Sequence, residues 1–210
     1  RIAEEYLDQV MGYVDSAEDR FSAAVRVAVI GNIMDFGVSL SSPEEFRAVF
    51  KKLLDQGIGS DDTARMKELL TDSKSVLYFF DNCGESQFDK LLIREIQRMG
   101  VRVVGVVRGE RILNDVTMED AERIGLDKIL DRTVSTGTFA VGAVLSKAKD
   151  DLKEELDRAD MMICKGMANY ESLSDQDAGM PKVFILRTKC GPVARSLGVP
   201  ENINVVRVAE

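Results

Sequence analysis

The second part of this chain alternates short apolar runs with amphipathic segments, and this alternation restricts the fold more than any other feature. Strands that alternate with helices are typical of a parallel β-sheet covered by helices on both faces. The pattern predicts six strands, at Val76–Phe80, Val101–Val107, Lys128–Leu130, Met161–Cys164, Val183–Arg187 and Asn204–Val208. It predicts intervening helices at Ser86–Met99, Met118–Ile124, Ser146–Arg158 and Pro192–Leu197.

The first part of the chain has a helical pattern instead. Apolar residues recur at helical spacing from Phe21 through Val25 to Val29, which indicates an amphipathic helix. The run Ser60–Thr63 offers a cap for a further helix that ends near Leu70. We therefore expect an α/β fold of three layers, α/β/α, with a mostly parallel Rossmann-like sheet. Residues 1–72 are predicted to form an N-terminal helical region, packed as one unit with an α/β domain of residues 73–210.

Composition excludes several functional classes. The chain contains no histidine, which rules out Ser–His and Cys–His catalysis and any histidine-ligated zinc site. A net charge of −8 argues against a general nucleic-acid binder, and no apolar run approaches the length of a bilayer span. Three cysteines without CxxC spacing indicate a reducing compartment. We expect a cytoplasmic protein without nucleic-acid or membrane partners.

A group of oxygen-bearing side chains follows the first predicted strand. Asp81 and Asn82 come directly after it, and Glu85 lies three residues beyond Asn82. Asp and Asn are common helix N-caps, but Ser86 and Asp89 already resemble a capping box for the next helix. Ligands of open α/β sheets bind at the carboxyl ends of strands, and carboxylate and amide oxygens suit Mg²⁺ or Mn²⁺. The loop therefore predicts a divalent-metal site.

The loop after the second long strand adds further polar side chains. Asp115 supplies a second carboxylate from the strand expected beside Asp81. Two carboxylates and the Asn82 amide would hold one Mg²⁺ and leave positions for water and a phosphate. Asn114 and Asp115 are also consistent with an ordinary turn before a helix. Arg108 is either a contact for a substrate anion or an exposed surface arginine.

Three later segments offer contacts for a phosphate. Thr133–Gly142 is rich in hydroxyls and glycines, which lets backbone N–H groups approach an anion. Lys165 ends a buried strand and is followed by glycine, so it is a candidate point charge for a phosphate, although a lysine at a strand end also extends to solvent. Lys189, after the next strand, is a further candidate.

Six segments of the chain together resemble the damage-control phosphatase family. They occur in the family's order between Gly31 and Ala194, and the combination is more specific than any one of them. The segments are GNIMDFG, DNCGESQFDKLL, VRGERILNDVTMEDA, the Thr136-Gly137 pair, DMMICKGMANYESL and FILRTKCGPVA. The short LRTKC segment is most similar to the compact, stand-alone microbial members.

The resemblance implies a three-layer α/β/α domain with a helical N-terminal part. It also implies a phosphatase that depends on a divalent metal, Mn, Mg, Ni or Co, and acts on small phosphorylated metabolites such as sugar phosphates. By the resemblance, the metal ligands are Asp81, Asn82 and Asp115. Substrate or phosphate positions are Glu85, Asn114 and Lys165, and further substrate contacts are expected at Arg108, Thr136, Gly137, Asn169 and Lys189.

Our first hypothesis is therefore phosphomonoester hydrolysis with Asp81, Glu85 and Lys165 as catalytic residues. The nucleophile is either water or Asp81 itself, which would form an aspartyl-phosphate. Two alternatives are an S-adenosylmethionine-dependent carboxyl methyltransferase and a non-catalytic metabolite or nucleotide sensor on a similar sheet. The sequence does not define the oligomeric state.

Overall fold

The computed structural model describes residues 7–34 and 43–210. The N-terminal helices, α1 to α4, are Leu7–Ser16, Arg20–Met34, Pro43–Gln56 and Thr63–Asp72. The later helices, α5 to α9, are Ser86–Arg98, Met118–Arg123, Asp150–Leu156, Gly166–Leu173 and Gly191–Leu197. The strands, β1 to β7, are Ser60–Asp61, Ser75–Phe79, Arg102–Val107, Arg132–Ser135, Met161–Lys165, Lys182–Arg187 and Asn204–Ala209.

These strands form one seven-stranded sheet in the order β1-β7-β6-β5-β2-β3-β4. All neighbouring strands are parallel except β6 and β7. From β2 the chain adds β3 and β4 on one side and then returns to add β5 and β6 on the other. This reversal creates a crevice at the carboxyl ends of β2 and β5, where doubly wound sheets bind ligands.

Strand β2 shows why the sheet needs helices on both faces. All five of its residues are buried, and alternate side chains of a strand point to opposite faces. Val76 and Tyr78 belong to the apolar cluster under α1, α2 and α5, whereas Leu77 and Phe79 belong to the cluster under α7, α8 and α9. The predicted three-layer α/β fold with a mostly parallel sheet is confirmed.

Three segments differ from their prediction. The helix predicted at Ser146–Arg158 is shorter, Asp150–Leu156, and a 3₁₀ turn at Leu145–Lys147 precedes it. The strand predicted at Lys128–Leu130 is wrong, because Leu130 N–H donates to the Leu126 carbonyl at 2.9 Å in a turn, and the strand begins at Arg132. Helix α8 lies in a segment interpreted as a loop. This helix follows β5 directly and begins at Gly166, which has a φ of +76°. A glycine at that position is typical of a loop, so the sequence did not indicate a helix there.

The N-terminal region also contributes to the sheet. Ser60–Asp61, interpreted from the sequence as part of a helix cap, is a short strand parallel to β7. The division of the chain at residue 72 stays a prediction. In the described ranges 7–34 and 43–210, no helix combines the length and the apolar character needed to cross a membrane.

Candidate active site

The crevice at the carboxyl end of β2 brings together the three predicted metal ligands. Asp81 and Asn82 follow β2 directly, and the loop after β3 returns to lie against them. Val116 N–H donates to the Asp81 carbonyl at 2.9 Å, and Asn82 forms an isolated antiparallel bridge with Asp115. The carboxylates of Asp81 and Asp115 are each only 7 % exposed. The strand order therefore places two carboxylates and one amide in a buried group.

Contacts on one of its oxygens orient the Asp81 carboxylate. Its Oδ2 accepts from Asn82 Nδ2 at 3.1 Å and from Asn32 Nδ2 at 3.4 Å. Gly166 lies so close to Oδ2 that any Cβ there would collide with the carboxylate. The other oxygen, Oδ1, lies 3.7 Å from Arg108 Nη2. One side of the carboxylate is thus held by the protein, and the other faces Arg108.

Arg108 is a buried organising residue, 1 % exposed, and not a surface arginine. Its Nε donates to Asp115 Oδ2 at 2.6 Å. Its Nη1 donates to the Gly142 carbonyl at 2.8 Å and to Asn169 Oδ1 at 2.9 Å. Within the described chain, its Nη2 is buried without a hydrogen-bond partner. A buried guanidinium with unused donors beside two carboxylates is a ready contact for an anion.

The ammonium group of Lys165 is held by two buried carboxylates. Lys165 is fully buried, and its Nζ donates to Glu85 Oε1 at 3.0 Å and to Asp89 Oδ1 at 2.6 Å. Tyr78 donates its hydroxyl to the same Asp89 oxygen at 2.8 Å. Burial alone would lower the pKa of Lys165, but the attraction of Asp89 and Glu85 outweighs it and raises that pKa. In this arrangement Lys165 is charged and serves as a counterion.

This buried group carries an excess of negative charge. Its four carboxylates are Asp81, Glu85, Asp89 and Asp115, and its two cations are Arg108 and Lys165. With all groups ionised, four negative and two positive charges leave −2. Burial, with repulsion from Glu85 and Asp115, accordingly raises the pKa of Asp81 to about 8. Burial likewise raises the pKa of Asp89 to about 6, although Lys165 opposes it.

Three further predicted residues lie around Arg108. Thr136 Oγ1 accepts from Gly109 N–H at 3.0 Å, which joins the loops after β3 and β4. Gly137, with φ +72°, packs under the aliphatic part of the Lys149 side chain. Asn169 Nδ2 donates to the carbonyls of Phe80 at 3.0 Å and Lys165 at 2.7 Å, so its amide is fixed to the ends of β2 and β5.

The last two predicted residues lie toward the edges of this group. Asn114 is exposed, and its carbonyl accepts from Cys83 N–H at 2.9 Å. Lys189 Nζ donates to the carbonyl of Asn32 at 2.8 Å. These main-chain contacts place both residues beside the segments that carry Asn82 and Asn32.

The sequence interpretation missed the roles of Asp89 and Tyr78. It placed Asn32 and Asp35 on one helical face, where they either cap and pair or close over the site. The predicted Ser86/Asp89 capping box is wrong, because Ser86 Oγ donates to the Asn82 carbonyl and Asp89 binds Lys165. The signal for Asp89 was available in the sequence, because this carboxylate lies one turn after Glu85 on the face of α5 that carries its apolar residues. Asn32 lies within the GNIMDFG segment, but only the packing of α2 shows which side chains it meets. Asp35 of that segment lies outside the described residues.

The predicted ligand set differs from a purely acidic metal centre. Within residues 7–34 and 43–210, no group of three or more histidine, cysteine, aspartate or glutamate side chains is arranged to hold a metal ion. The predicted set falls outside that class because Asn82 supplies one of its three side chains. Its donors are two carboxylates and one amide, and the acids around it outnumber the described cations that pair with them.

Comparison with known proteins identifies the family. Residues 1–205 match the damage-control phosphatase ARMT1-like domain. The chain belongs to the damage-control phosphatase family. A damage-control phosphatase of Archaeoglobus fulgidus is 40 % identical over the whole chain, which covers 72 % of that relative. Another, of Pyrococcus horikoshii, is 38 % identical over 86 % of this chain and 62 % of its own length.

A solved structure extends the likeness to the backbone. A DUF89 family protein of Pyrococcus horikoshii superposes with a TM-score of 0.87 at 34 % identity, over 99 % of this chain and 73 % of that one. The predicted family resemblance is thereby confirmed, as is the assignment of the chain as a phosphatase. Family membership favours this activity over the methyltransferase and sensor alternatives.

Proposed function

We propose that this phosphatase hydrolyses small phosphorylated metabolites with the help of a divalent metal ion, in the crevice at the carboxyl ends of β2 and β5. The observation that supports the proposal most is the crowding of four buried carboxyl side chains around Asp81 with only two cations among the described residues that pair with them. Burying uncompensated charge is costly, and a structural ion-pair network would balance its charges. A divalent cation supplies the missing compensation.

The residues present fit such an ion. Asp81, Asn82 and Asp115 offer carboxylate and amide oxygens, which Mg²⁺ and Mn²⁺ prefer, and Ni²⁺ or Co²⁺ also accept these ligands. Asn82 uses its Nδ2 to hold Asp81, so its amide oxygen is the atom assigned to the metal. When bound, the ion supplies Lewis-acid stabilisation of the charge on a phosphoryl oxygen.

The phosphate is proposed to bind against Arg108. The Nη2 of this residue is buried, lacks a hydrogen-bond partner in the described residues and lies 3.7 Å from Asp81 Oδ1. It would donate to a phosphate oxygen placed beside the carboxylates. The Thr136-Gly137 loop, which is joined to Gly109, borders the same place. Asn114 and Lys189, nearer the edges, are proposed to contact the rest of the substrate.

Glu85 and Lys165 are proposed to act through other residues. Both Glu85 oxygens are engaged, Oε1 by Lys165 at 3.0 Å and Oε2 by Asn32 at 2.8 Å. A carboxylate held in this way is a positioning group and not a free base. Lys165, buried between Glu85 and Asp89, provides a fixed positive charge close to the developing phosphate charge. Fixed charges of this kind need no reorganisation during the reaction.

Water is the proposed nucleophile, because Asp81 as a metal ligand would already commit its charge to the ion. Its Oδ2 accepts two amide hydrogen bonds, while Oδ1 lies beside the proposed phosphate position, so attack by Asp81 is the alternative to test. Rapid-quench experiments with a ³²P-labelled phosphomonoester test this choice. Recovery of labelled protein in the acid-precipitated fraction would establish an aspartyl-phosphate instead.

A direct assay tests the function itself. The protein, stripped of metal with EDTA and desalted, should hydrolyse p-nitrophenyl phosphate only after addition of Mn²⁺, Mg²⁺, Ni²⁺ or Co²⁺. A panel of sugar phosphates and other phosphomonoesters then defines the substrate class. Hydrolysis that is unchanged in EDTA and in Asp81→Asn would refute the proposed site. A cytoplasmic location is part of the same proposal and is tested by cell fractionation.

A further inference from the structure

We propose that Asn32, at the end of the N-terminal helix α2, is a positioning residue for the metal-binding carboxylate Asp81. This inference rests on the proposed function, because it assigns to Asn32 the orientation of a ligand. Helix α2 would then contribute a residue to the active site in addition to packing on the sheet.

The contacts of Asn32 fix its side chain from both ends. Its Nδ2 donates to Glu85 Oε2 at 2.8 Å and to Asp81 Oδ2 at 3.4 Å. Its Oδ1 accepts from Arg187 N–H at 3.3 Å, at the end of β6. The residue is 1 % exposed, so solvent does not compete for these groups. The amide thus has its donor end on the acidic group and its acceptor end on the sheet.

The main chain of Asn32 is anchored as well. Lys189 Nζ donates to its carbonyl at 2.8 Å. The preceding Gly31 lies directly against the start of α5, where an added Cβ would be 3.2 Å from Glu85 Cβ and 3.2 Å from Phe88 Cδ2. The absence of a side chain at Gly31 therefore permits the close helix approach that lets Asn32 reach Glu85.

The Asn32 amide bridges two carboxylates that repel each other. Asp81 and Glu85 are like charges in a buried place, and the amides of Asn32 and Asn82 each donate to both of them. These bridging donors favour the ionised carboxylates and hold them in one arrangement. Without Asn32, Asp81 Oδ2 keeps only the Asn82 amide, and the carboxylate is free to turn away from its neighbour. Side chains that orient metal ligands typically contribute 10- to 100-fold to metal affinity or activity.

Calorimetric titration with Mn²⁺ tests the proposal. Asn32→Ala should weaken Mn²⁺ binding by about 10- to 100-fold and lower kcat/KM by a similar factor. Gly31→Ala retains the amide, but its Cβ requires Glu85 or Phe88 to shift by a few tenths of an ångström, so it should weaken Mn²⁺ binding in the same direction and to a smaller extent. Asn204→Ala is the matched control, since Asn204 is 3 % exposed, its Nδ2 donates to the Gly57 carbonyl, and its Oδ1 accepts from the side-chain Nη1 of Arg187 and not from the Arg187 N–H that anchors Asn32. It should leave Mn²⁺ affinity unchanged.

The outcomes are distinguishable. If Asn32→Ala loses thermal stability as Asn204→Ala does but keeps wild-type Mn²⁺ affinity, Asn32 is only a packing residue and the inference is overturned. If Asn32→Ala does not fold, unchanged affinity in Gly31→Ala overturns it equally. If the wild-type protein itself binds no Mn²⁺, the proposed function fails and the inference fails with it.

Discussion

The two ends of strand β3 carry two charge groups of opposite balance. At its start, Arg102 donates to both oxygens of Glu155, at 2.6 and 3.0 Å, and Arg132 adds a third contact at 2.6 Å. At its end, Arg108 lies among the carboxylates around Asp81. The first group has one acid and two cations, whereas the second has four acids and two cations.

This difference in balance appears in the ionisation of the acids. Hydrogen bonds from Arg102, joined by Arg132, lower the pKa of Glu155 to about 2. Burial and neighbouring carboxylates instead raise the pKa of Asp81 to about 8. The Glu155 group is satisfied by the protein alone and contributes to stability. Within residues 7–34 and 43–210, the ion pairs of the Asp81 group leave its acids in excess, which is the property expected of a ligand site.

The largest expected effect is that of Asp81→Asn on activity. The substitution keeps the shape of the side chain but removes the charge of a proposed metal ligand. Losing several kcal/mol of transition-state stabilisation should lower kcat/KM by about a thousandfold or more. Metal-free thermal stability should rise at neutral pH, because the amide does not have to take up the proton that the buried Asp81 carboxylate takes up on folding. Steady-state assays with Mn²⁺ and melts in EDTA measure the two effects, and a fall in metal-free stability would contradict the comparison.

Lys165→Met is expected to have the next largest effect, on stability. It leaves Glu85 and Asp89 buried without their shared cation, a change that typically costs about 3–5 kcal/mol. Urea unfolding measures the loss. Lys153→Met is the control, because Lys153 pairs with Asp150 on the surface, where the two side chains are 54 % and 97 % exposed. A stable Lys165→Met that lost only kcat/KM would show that Lys165 serves the phosphate directly.

Sequence patterns predicted the sheet and the acidic loop because both depend on local spacing. The apolar run before Asp81 and the turn that brings back Asp115 are visible in order along the chain. Once β2 and β3 are neighbours, their carboxyl ends must meet at one edge. This is why the predicted grouping of Asp81, Asn82 and Asp115 needed no tertiary information beyond strand adjacency.

The charge partners behind that loop depended on packing that spacing does not encode. Lys165 looked like a free strand-end cation, and Asp89 looked like a helix cap. Their pairing requires β5 to lie beside β2 and α5 to cover the junction. Asn32 is 49 residues from Asp81 along the chain, and only the close approach of α2 at Gly31 brings them together.

Glu155→Gln is expected to have a smaller effect than Lys165→Met. Unlike Asp81→Asn, it should lower stability and leave activity unchanged. The amide keeps the shape but loses charge-assisted bonds to Arg102 and Arg132, each of which remains partly exposed to water. We expect a loss of about 1.5–3 kcal/mol in the free energy of unfolding, with metal-dependent kcat/KM unchanged. Urea unfolding and steady-state assays on the same preparation test this. A large loss of activity would mean that the two groups are coupled along β3.

The smallest expected effect, measured per pH unit, is the change of metal-free stability with pH. The folded pKa of Asp81 is about 8, against an ordinary value of 3.8. Between these values the folded state binds more protons than the unfolded state, so stability falls as pH rises, by at most about 1.4 kcal/mol per pH unit for each such group. Asp89 acts in the same direction up to about pH 6.

Glu155 acts with the opposite sign, and this separates the two groups by pH. Its folded pKa of about 2 lies below its ordinary 4.5, so the stability it contributes is lost only as pH falls through that range. Between pH 6 and pH 8, melts in EDTA should therefore report the Asp81 group alone and show decreasing stability. Asp81→Asn should flatten that slope, and Glu155→Gln should leave it intact.

Saturating Mn²⁺ should also remove the pH dependence of stability, because a metal-bound carboxylate stays ionised and binding releases the proton instead. A wild-type slope that is flat or rising over this interval would mean that the acidic group is compensated without a metal.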